Sequence, residues 1–435
     1  MKVAFHTLGC KVNQNDTQGL ASLFQEEGHT VVPFDEQADV LVVNTCAVTR
    51  VGEQKSRQII RKAIDLNPEA VIVVTGCYAQ TAPGEIAGIP GVSLVIGMAD
   101  RSNIVKLVTE YKEKRLRQVS VKVAAIEDLR GWTELPVGSS EEHERTTRAM
   151  LKVEEGCEEF CSYCIVPYAR GKVRSMPPEQ VLKEFTTLVE KGFREIVLTG
   201  IHLGQYGRDL GVDLHDLLER ILKLNKDCRI RLGSLEPVDL KNDLLDTIIN
   251  NPQICQHLHI PLQSGSDRIL KLMNRNYSLS FFANLINKIR AQNPLVAVGT
   301  DLIVGFPGES EEDFSATCNF IKEQAFSRIH VFRYSPRQGT PAAGFPGRIP
   351  KAVQEERSRL VQKIAADLAA GYARKFLHKS VEVLFEEQLG TCWSGLSGEY
   401  LRVLVAAEEN LKNSLKTVVI KEIDGQQLRG SLITQ

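Results

Sequence analysis

The 435-residue sequence predicts an α/β protein built from an N-terminal open parallel sheet, a central partial (βα)6 barrel and a small C-terminal antiparallel β-barrel. Three observations predict it. Short apolar runs alternate with helix-length stretches over 1–112 and again over 149–378, the pattern of parallel strands covered by helices. Between these blocks, 113–148 turns polar and loop-like around Val137-Gly138-Ser139-Ser140-Glu141-Glu142-His143-Glu144, as a linker does. From 379 to 435 the pattern becomes β-type runs with turns at Ser397-Gly398 and Asp424-Gly425, as in a small barrel.

In the first block the expected strands are Val3–Thr7, Val31–Phe34, Val40–Asn44, Val71–Thr75 and Leu94–Ile96, with helices such as Gln14–Glu27 and Glu53–Leu66 between them. Within the linker, Val119–Ala125 has strand character. The second block offers Ala149–Glu154, Glu195–Leu198, Arg229–Gly233, His257–Ile260, Val296–Val304 and His330–Tyr334, separated by helical runs. Six such units fit a partial α/β barrel. Lys351–Phe376 lacks Pro and extends this block as a helix. In the last block the β-type runs are Val381–Phe385, Tyr400–Val405 and Thr417–Ile423.

Hydrophobic residues make up 43% and charged residues 25%, with a net charge of −1. These are globular values, and nucleic acid would have to be met by local basic patches. No run of 18 apolar residues reads as a membrane span. The apolar start Met1–Leu8 is too short for a signal peptide and reads as a buried strand. A cytoplasmic location is expected. Ten cysteines in such a chain argue for metal or catalysis over disulfides.

Cys157, Cys161 and Cys164 have the spacing C-x3-C-x2-C directly after an expected strand. Three soft thiolates on one loop suit an iron–sulfur cube or zinc. Gly156 permits close backbone approach, while Phe160 and Tyr163 would limit solvent access. Three ligands leave one metal position open, as catalytic centres do; a zinc site with a distant fourth ligand is the alternative. Cys10, Cys46 and Cys77 form a second set. Each follows an expected strand of the first sheet, and in an open parallel sheet the strand carboxyl ends share one edge, where ligands bind. With strands roughly 4.8 Å apart, cysteines remote in sequence would converge. Cys228, Cys255, Cys318 and Cys392 show no such pattern and read as structural.

The loop Gly156-Cys157-Glu158-Glu159-Phe160-Cys161-Ser162-Tyr163-Cys164 resembles the signature of the radical S-adenosylmethionine (SAM) superfamily. The resemblance implies that the three cysteines carry a [4Fe–4S] cluster whose open iron chelates SAM and cleaves it to a 5′-deoxyadenosyl radical. It further implies cofactor contacts from Tyr163, from Ser234 and Glu236, from Gln263 and from the loop Gly305–Glu309. Many superfamily members place an acid after the second barrel strand; Thr199-Gly200-Ile201 has none, so backbone at Gly200 is expected to serve. The chain as a whole resembles the methylthiotransferases, which add a small C-terminal barrel called TRAM. Thr7–Asn13, Val43–Cys46, Val74–Gln80, His259–Ser266 and Asp301–Glu309 carry the likeness.

Leu8-Gly9-Cys10-Lys11-Val12-Asn13 and Leu198-Thr199-Gly200-Ile201-His202 are most similar to the branch acting on threonylcarbamoyladenosine in tRNA. The resemblance implies a second [4Fe–4S] cluster on Cys10, Cys46 and Cys77, able to hold an extra sulfur, and a methylthio group placed on carbon 2 of the adenine next to the anticodon. The expected partners are a tRNA anticodon stem-loop, an electron donor and a sulfur donor, with no membrane and no DNA. Alternatives are a branch acting on isopentenyladenosine or a ribosomal protein, and an iron–sulfur RNA-binding protein without catalysis.

RNA contact should appear as basic runs. Arg50–Lys62 holds five basic residues against one acid, Arg101–Lys122 seven against two, and Arg348–Lys379 eight against three. The last 56 residues, 380–435, hold five basic residues and eight acids, so RNA contact there would rest on placed residues such as Arg402, Lys416 and Arg429. Trp393 and Tyr400 could stack on bases or fill the core.

Overall fold

The computed structural model describes residues 1–133, 135–136 and 146–433. The polar stretch 137–144 named above lies outside the described residues. The N-terminal sheet consists of β1 (Lys2–Thr7), β2 (Thr30–Val32), β3 (Val40–Thr45), β4 (Val71–Gly76), β5 (Leu94–Ile96) and β6 (Ser120–Lys122), all parallel, in the order β2-β1-β3-β4-β5-β6. Every residue of β3 and β4 is buried. Their unbroken apolar runs reflect helix cover on both faces. The sixth strand comes from the segment expected to be linker. Ser120 N–H bonds Ser93 O at 2.9 Å and Gly97 N–H bonds Lys122 O at 2.7 Å, because the free edge of β5 satisfies this short run.

The central block has β7 (Arg148–Lys152), β8 (Glu154–Glu155) paired with β9 (Arg174–Ser175), then β10 (Glu195–Thr199), β11 (Arg229–Leu232), β12 (His257–His259), β13 (Ala297–Val304) and β14 (Arg328–Arg333). The parallel triples β11-β10-β7 and β12-β13-β14 are joined by the bridges Ile230↔Ile254 and Ser234↔His259. Six main strands thus form an open, partial barrel. Leu, Ile and Val on their outer faces pack against the helices in one large core. The open side is covered by the first sheet: Asn15 on the helix Lys11–Glu26 donates to Met150 O at 2.8 Å.

The helix Lys351–Arg374 leads into a closed barrel of β15 (Ser380–Leu389), β16 (Cys392–Ser397), β17 (Arg402–Ala406), β18 (Leu415–Asp424) and β19 (Gln427–Leu432). Its pairings are antiparallel except β17–β19, which is parallel. This unit seals the amino-terminal end of the central barrel. Arg229 and Arg231 pair with the buried Glu195 and donate to Leu396 O (2.7 Å), Ser397 O (3.0 Å) and Gly398 O (3.0 Å). Tyr400 stacks on His257 beneath the guanidiniums of Arg231 and Arg328. Among the described residues no helix is long and apolar enough to cross a membrane.

Candidate metal centres and active site

Strands β1, β3 and β4 are adjacent and in register, Thr7 beside Asn44 and Thr45 beside Gly76. Their carboxyl ends therefore deliver Cys10, Cys46 and Cys77 to one edge. Cys10 caps the helix Lys11–Glu26 and is exposed; Cys46 and Cys77 are buried. Gly9 sits at φ 111°, and a Cβ there would meet Cys46 Sγ at 3.3 Å; Gly76, at φ 95°, would strike Asn44 Oδ1 at 2.3 Å. Both glycines are thus required for the approach. Burial pushes the Cys46 thiol up to about 11 and raises that of Cys77, against which Arg170 pulls by charge and a hydrogen bond. Arg170 Nε lies 3.3 Å from Cys77 Sγ.

The second trio sits at the carboxyl end of β7, on the far side of the central barrel from the C-terminal barrel. Gly156, at φ 102°, would push a Cβ to 2.0 Å from Lys172 O, so only glycine fits. The loop is pinned by Cys157 N–H to Gly171 O and Cys164 N–H to Cys161 O, both 2.9 Å. Arg275 Nη1 lies 3.3 Å from Cys161 Sγ while the same guanidinium pairs with Glu236. His202 Nδ1 lies 3.6 Å from Cys157 Sγ and its Nε2 lies 2.6 Å from Asp239. Burial lowers the affinity of His202 for its proton, but bonds to Asp239 and Cys157 outweigh it and raise the ring to about 11. Among the described residues, neither cysteine trio brings its sulfurs all within 4.8 Å of one another. One tetrahedral zinc, with Zn–S of about 2.3 Å, needs sulfurs ~3.8 Å apart, closer than either trio holds them. Donors aimed at the sulfurs of Cys77 and Cys161 suit thiolates.

The expected cofactor contacts divide into groups. Tyr163, Cys164 and Gln263 line one apolar cavity of about 200 Å³ that reaches Val48 and Thr49, just past Cys46. Gln263 holds φ 65° because its backbone ties β12 to β13, N–H to Asp301 O at 2.8 Å and O to Ile303 N–H at 2.9 Å. Ser234 is exposed at the end of β11. Glu309 braces the Gly305 loop: its carboxylate accepts from Gly305 N–H (2.8 Å) and Arg357 (2.6 Å). Gly305 itself, at φ 72°, abuts Gln354.

A buried acid lies beside the end of the second barrel strand. Glu154, fully buried on β8, covers Gly200, where a Cβ would meet Glu154 Oε2 at 2.5 Å. Oε2 accepts from His202 N–H at 2.7 Å, and Oε1 has no partner among the described residues. Burial is the main cause that pushes Glu154 up to about 8. Glu154 thus lies over the Gly200 backbone that the sequence marks as a cofactor contact. An orphaned carboxylate oxygen beside the cysteine loop fits an ammonium group, and the methionyl end of SAM carries one.

Two further groups were not foreseen from sequence. His259, Asp301 and His330 converge inside the barrel; His259 Nε2 is 3.0 Å from Asp301 Oδ1 and His330 Nδ1 is 3.5 Å. Burial opposes the charge on Asp301, but the two imidazoles hold its carboxyl below the usual range. The other group is a buried charge cluster joining the two cysteine-bearing units. It includes Arg101, so the first residue of the Arg101–Lys122 basic run points inward. Arg357 is likewise buried against Glu309 and Glu311, and Arg402 pairs with Glu386. Trp393 lies in the core of the C-terminal barrel. Lys55, Arg61 and Lys62 remain exposed on the helix Arg50–Leu66. Arg50 and Arg337 line a groove of about 1030 Å³ beside the cavity.

Two family models match the chain: Uncharacterized protein family UPF0004 over residues 2–97 and the Radical SAM superfamily over 151–321. The chain is 43% identical over 425 residues to the threonylcarbamoyladenosine tRNA methylthiotransferase MtaB of Bacillus subtilis, covering 96% of this chain and 93% of that protein. To the MtaB of Aquifex aeolicus it is 40% identical, covering 89% and 93%. To a tRNA-2-methylthio-N(6)-dimethylallyladenosine synthase of Moorella thermoacetica it is 34% identical, covering 98% and 97%. Among solved structures, the radical SAM methyltransferase TsrM of Kitasatospora setae, with cobalamin and a [4Fe–4S] cluster bound, shares the fold at a TM-score of 0.58 and 15% identity, covering 78% of this chain and 76% of that one. With its cysteine loop at the barrel mouth and these relatives along nearly its whole length, the chain belongs to the radical SAM methylthiotransferases, in the MtaB-type family.

Proposed function

We propose that this protein adds a methylthio group to carbon 2 of threonylcarbamoyladenosine next to the anticodon of tRNA, with two [4Fe–4S] clusters and SAM as cofactors. The observation that carries the reading is an apolar cavity lined by Cys164 and by Val48 and Thr49, which follow Cys46, so that one space adjoins both cysteine-bearing loops. Cys10, Cys46 and Cys77 would hold one cluster, and Cys157, Cys161 and Cys164 the other. When bound, the clusters and SAM supply the radical and the sulfur chemistry that a C–H bond of adenine requires and side chains lack.

The chain's own residues bind, orient and exclude water. Glu154 offers its unpartnered Oε1 to the methionyl ammonium. Tyr163, packed edge-on against Phe306, forms a wall of the cavity with Ile303 and Phe332. A dry apolar wall keeps solvent hydrogen from a radical. Arg275 and His202 direct N–H groups at the sulfurs of Cys161 and Cys157. The exposed cations of the helix Arg50–Leu66 flank the groove and would meet phosphates. The chemistry calls for an external electron donor and a sulfur donor. We place the enzyme in the cytoplasm with its tRNA, and end its N-terminal unit after β6.

Nucleoside analysis of tRNA from a strain lacking this gene tests the reading. Loss of 2-methylthio-threonylcarbamoyladenosine alone is expected. Loss of the methylthio-isopentenyl nucleoside instead would overturn the substrate assignment and leave the reaction class standing.

A further inference from the structure

The interface between the two cysteine-bearing units is electrically unbalanced. Asp16, Arg101, Lys152, Glu155, Arg170 and Arg174 are each at most 4% exposed. Four cations face two carboxylates. Arg101 and Lys152 pair with both Asp16 and Glu155. Arg170 reaches Asp16 at 2.8 Å and Glu155 at 2.5 Å, and Arg174 approaches Glu155 at 4.0 Å. Glu154, next in the chain, accepts from His202 N–H and forms no ion pair with these four cations among the described residues. Two positive charges are left over. A buried surplus of this kind is costly without a counter-charge.

Arg170 shows where the counter-charge belongs. It lies in the barrel unit, on the short helix Val166–Arg170, yet its guanidinium spans the interface. One Nη donates to Asn13 Oδ1, the other pairs with Asp16, and Nε points at Cys77 Sγ from 3.3 Å. Asn13 in turn donates to Leu8 O at 2.7 Å and Thr45 O at 3.0 Å, the backbone just before Cys10 and Cys46. The cluster therefore touches or braces all three N-terminal cysteines. Metal binding converts thiols to thiolates, and three thiolates on a [4Fe–4S] core of charge 2+ would bring a net charge of about −1 here, which offsets part of the surplus.

We propose that Arg170 completes the N-terminal cysteine site from the barrel side, and that loading of that site offsets part of the buried positive charge and so locks the N-terminal sheet onto the barrel. The proposal rests on the reading of Cys10, Cys46 and Cys77 as cluster ligands. Arg170 is then a positioning residue: it fixes one cysteine site relative to the other by holding Cys77 from a segment 13 residues beyond Cys157.

The test uses the full chain, reconstituted anaerobically, beside a Cys10→Ala/Cys46→Ala/Cys77→Ala variant that keeps the barrel cysteines. Amide exchange is followed in the helix Lys11–Glu26 and over 166–175. Exchange at least ~10-fold slower is expected in the loaded wild type than in the triple variant. Loaded Arg170→Met should exchange like the triple variant, and the reduction potential of its N-terminal cluster should move to more negative values, with the barrel cluster unchanged. Arg170→Lys, which keeps the charge without the Nε donor, should hold most of the protection and still show the shifted potential. Eight irons bound with equal exchange in wild type and triple variant would overturn the lock alone. So would Arg170→Met with wild-type exchange and potential. Four irons in the wild type would overturn the ligand reading and the lock together.

Discussion

Glu154→Gln separates two effects of one buried carboxylate. In the folded chain Glu154 keeps its proton up to about 8, against 4.5 ordinarily, chiefly because burial penalises the charge. Between those values the folded state binds one proton more than the unfolded state, so this group's contribution to stability falls as pH rises. The interval is ~3.5 units, and at about 1.4 kcal/mol per unit the ceiling is ~5 kcal/mol above pH 8. Local relaxation brings a measured value to a few kcal/mol. Gln has the same shape and cannot ionise. The iron-free, reduced Glu154→Gln chain should therefore match wild type at pH 5 and exceed it by about 2–4 kcal/mol at pH 8.5 in denaturant unfolding. SAM affinity should change the opposite way. Removing the charge from a buried carboxylate–ammonium bond costs about 1.5–3 kcal/mol, so Kd should rise at least ~10-fold in the reconstituted enzyme. Parallel pH slopes for the two proteins would refute the buried-charge argument, and an unchanged Kd would remove Glu154 from the ammonium site.

Cys157→Ala should leave about four irons per chain and abolish 5′-deoxyadenosine formation, whereas Cys77→Ala should also leave about four irons yet still cleave SAM; iron assay with product analysis separates them. Arg275→Met strands Glu236 and strips Cys161 of its donor, so unfolding should become easier by about 3–5 kcal/mol, read from denaturant midpoints. Tyr400→Ala removes the stack on His257 and two guanidinium contacts, which should cost about 2–4 kcal/mol of stability while leaving tRNA affinity within ~2-fold in a binding titration. Arg61→Glu/Lys62→Glu should weaken tRNA binding and lower the slope of log Kd against log salt by about 2, since each lost phosphate contact removes close to one counterion.

Much of this architecture is legible in the sequence because parallel strands announce themselves as short apolar runs. Val40–Thr45 and Val71–Gly76 are buried at every position and could hardly be anything else. The convergence of Cys10, Cys46 and Cys77 follows from strand adjacency alone. What stayed hidden depends on pairings remote in the chain. Glu154 reads as the last residue of a strand, and its partner His202 is 48 positions away. Arg170 and Asp16 are 154 apart. Arg101 counts as part of a basic run until tertiary structure turns it inward. A charge at an otherwise apolar helical position, Asp16 between Val12 and Leu20, was the available signal for that cluster. Strands β16 and β19 escaped notice because Gly395 and Gly430 interrupt their β character. Each is demanded by close packing: a Cβ would fall 2.5 Å from Val383 Cγ1 or 2.4 Å from Val419 O.

The seal at the foot of the central barrel has a consequence for anyone who edits this protein. Three backbone carbonyls of 396–398 are the acceptors for Arg229 and Arg231, and Tyr400 occupies the opening beneath His257. The C-terminal barrel is thus a keystone as well as an appendage. Cutting the chain near 379 would strip two buried guanidiniums of their carbonyl acceptors and uncover His257, so an inactive truncation would report on folding before it reported on RNA. Swapping this unit between relatives succeeds only if the donor brings matching carbonyls to the same two arginines.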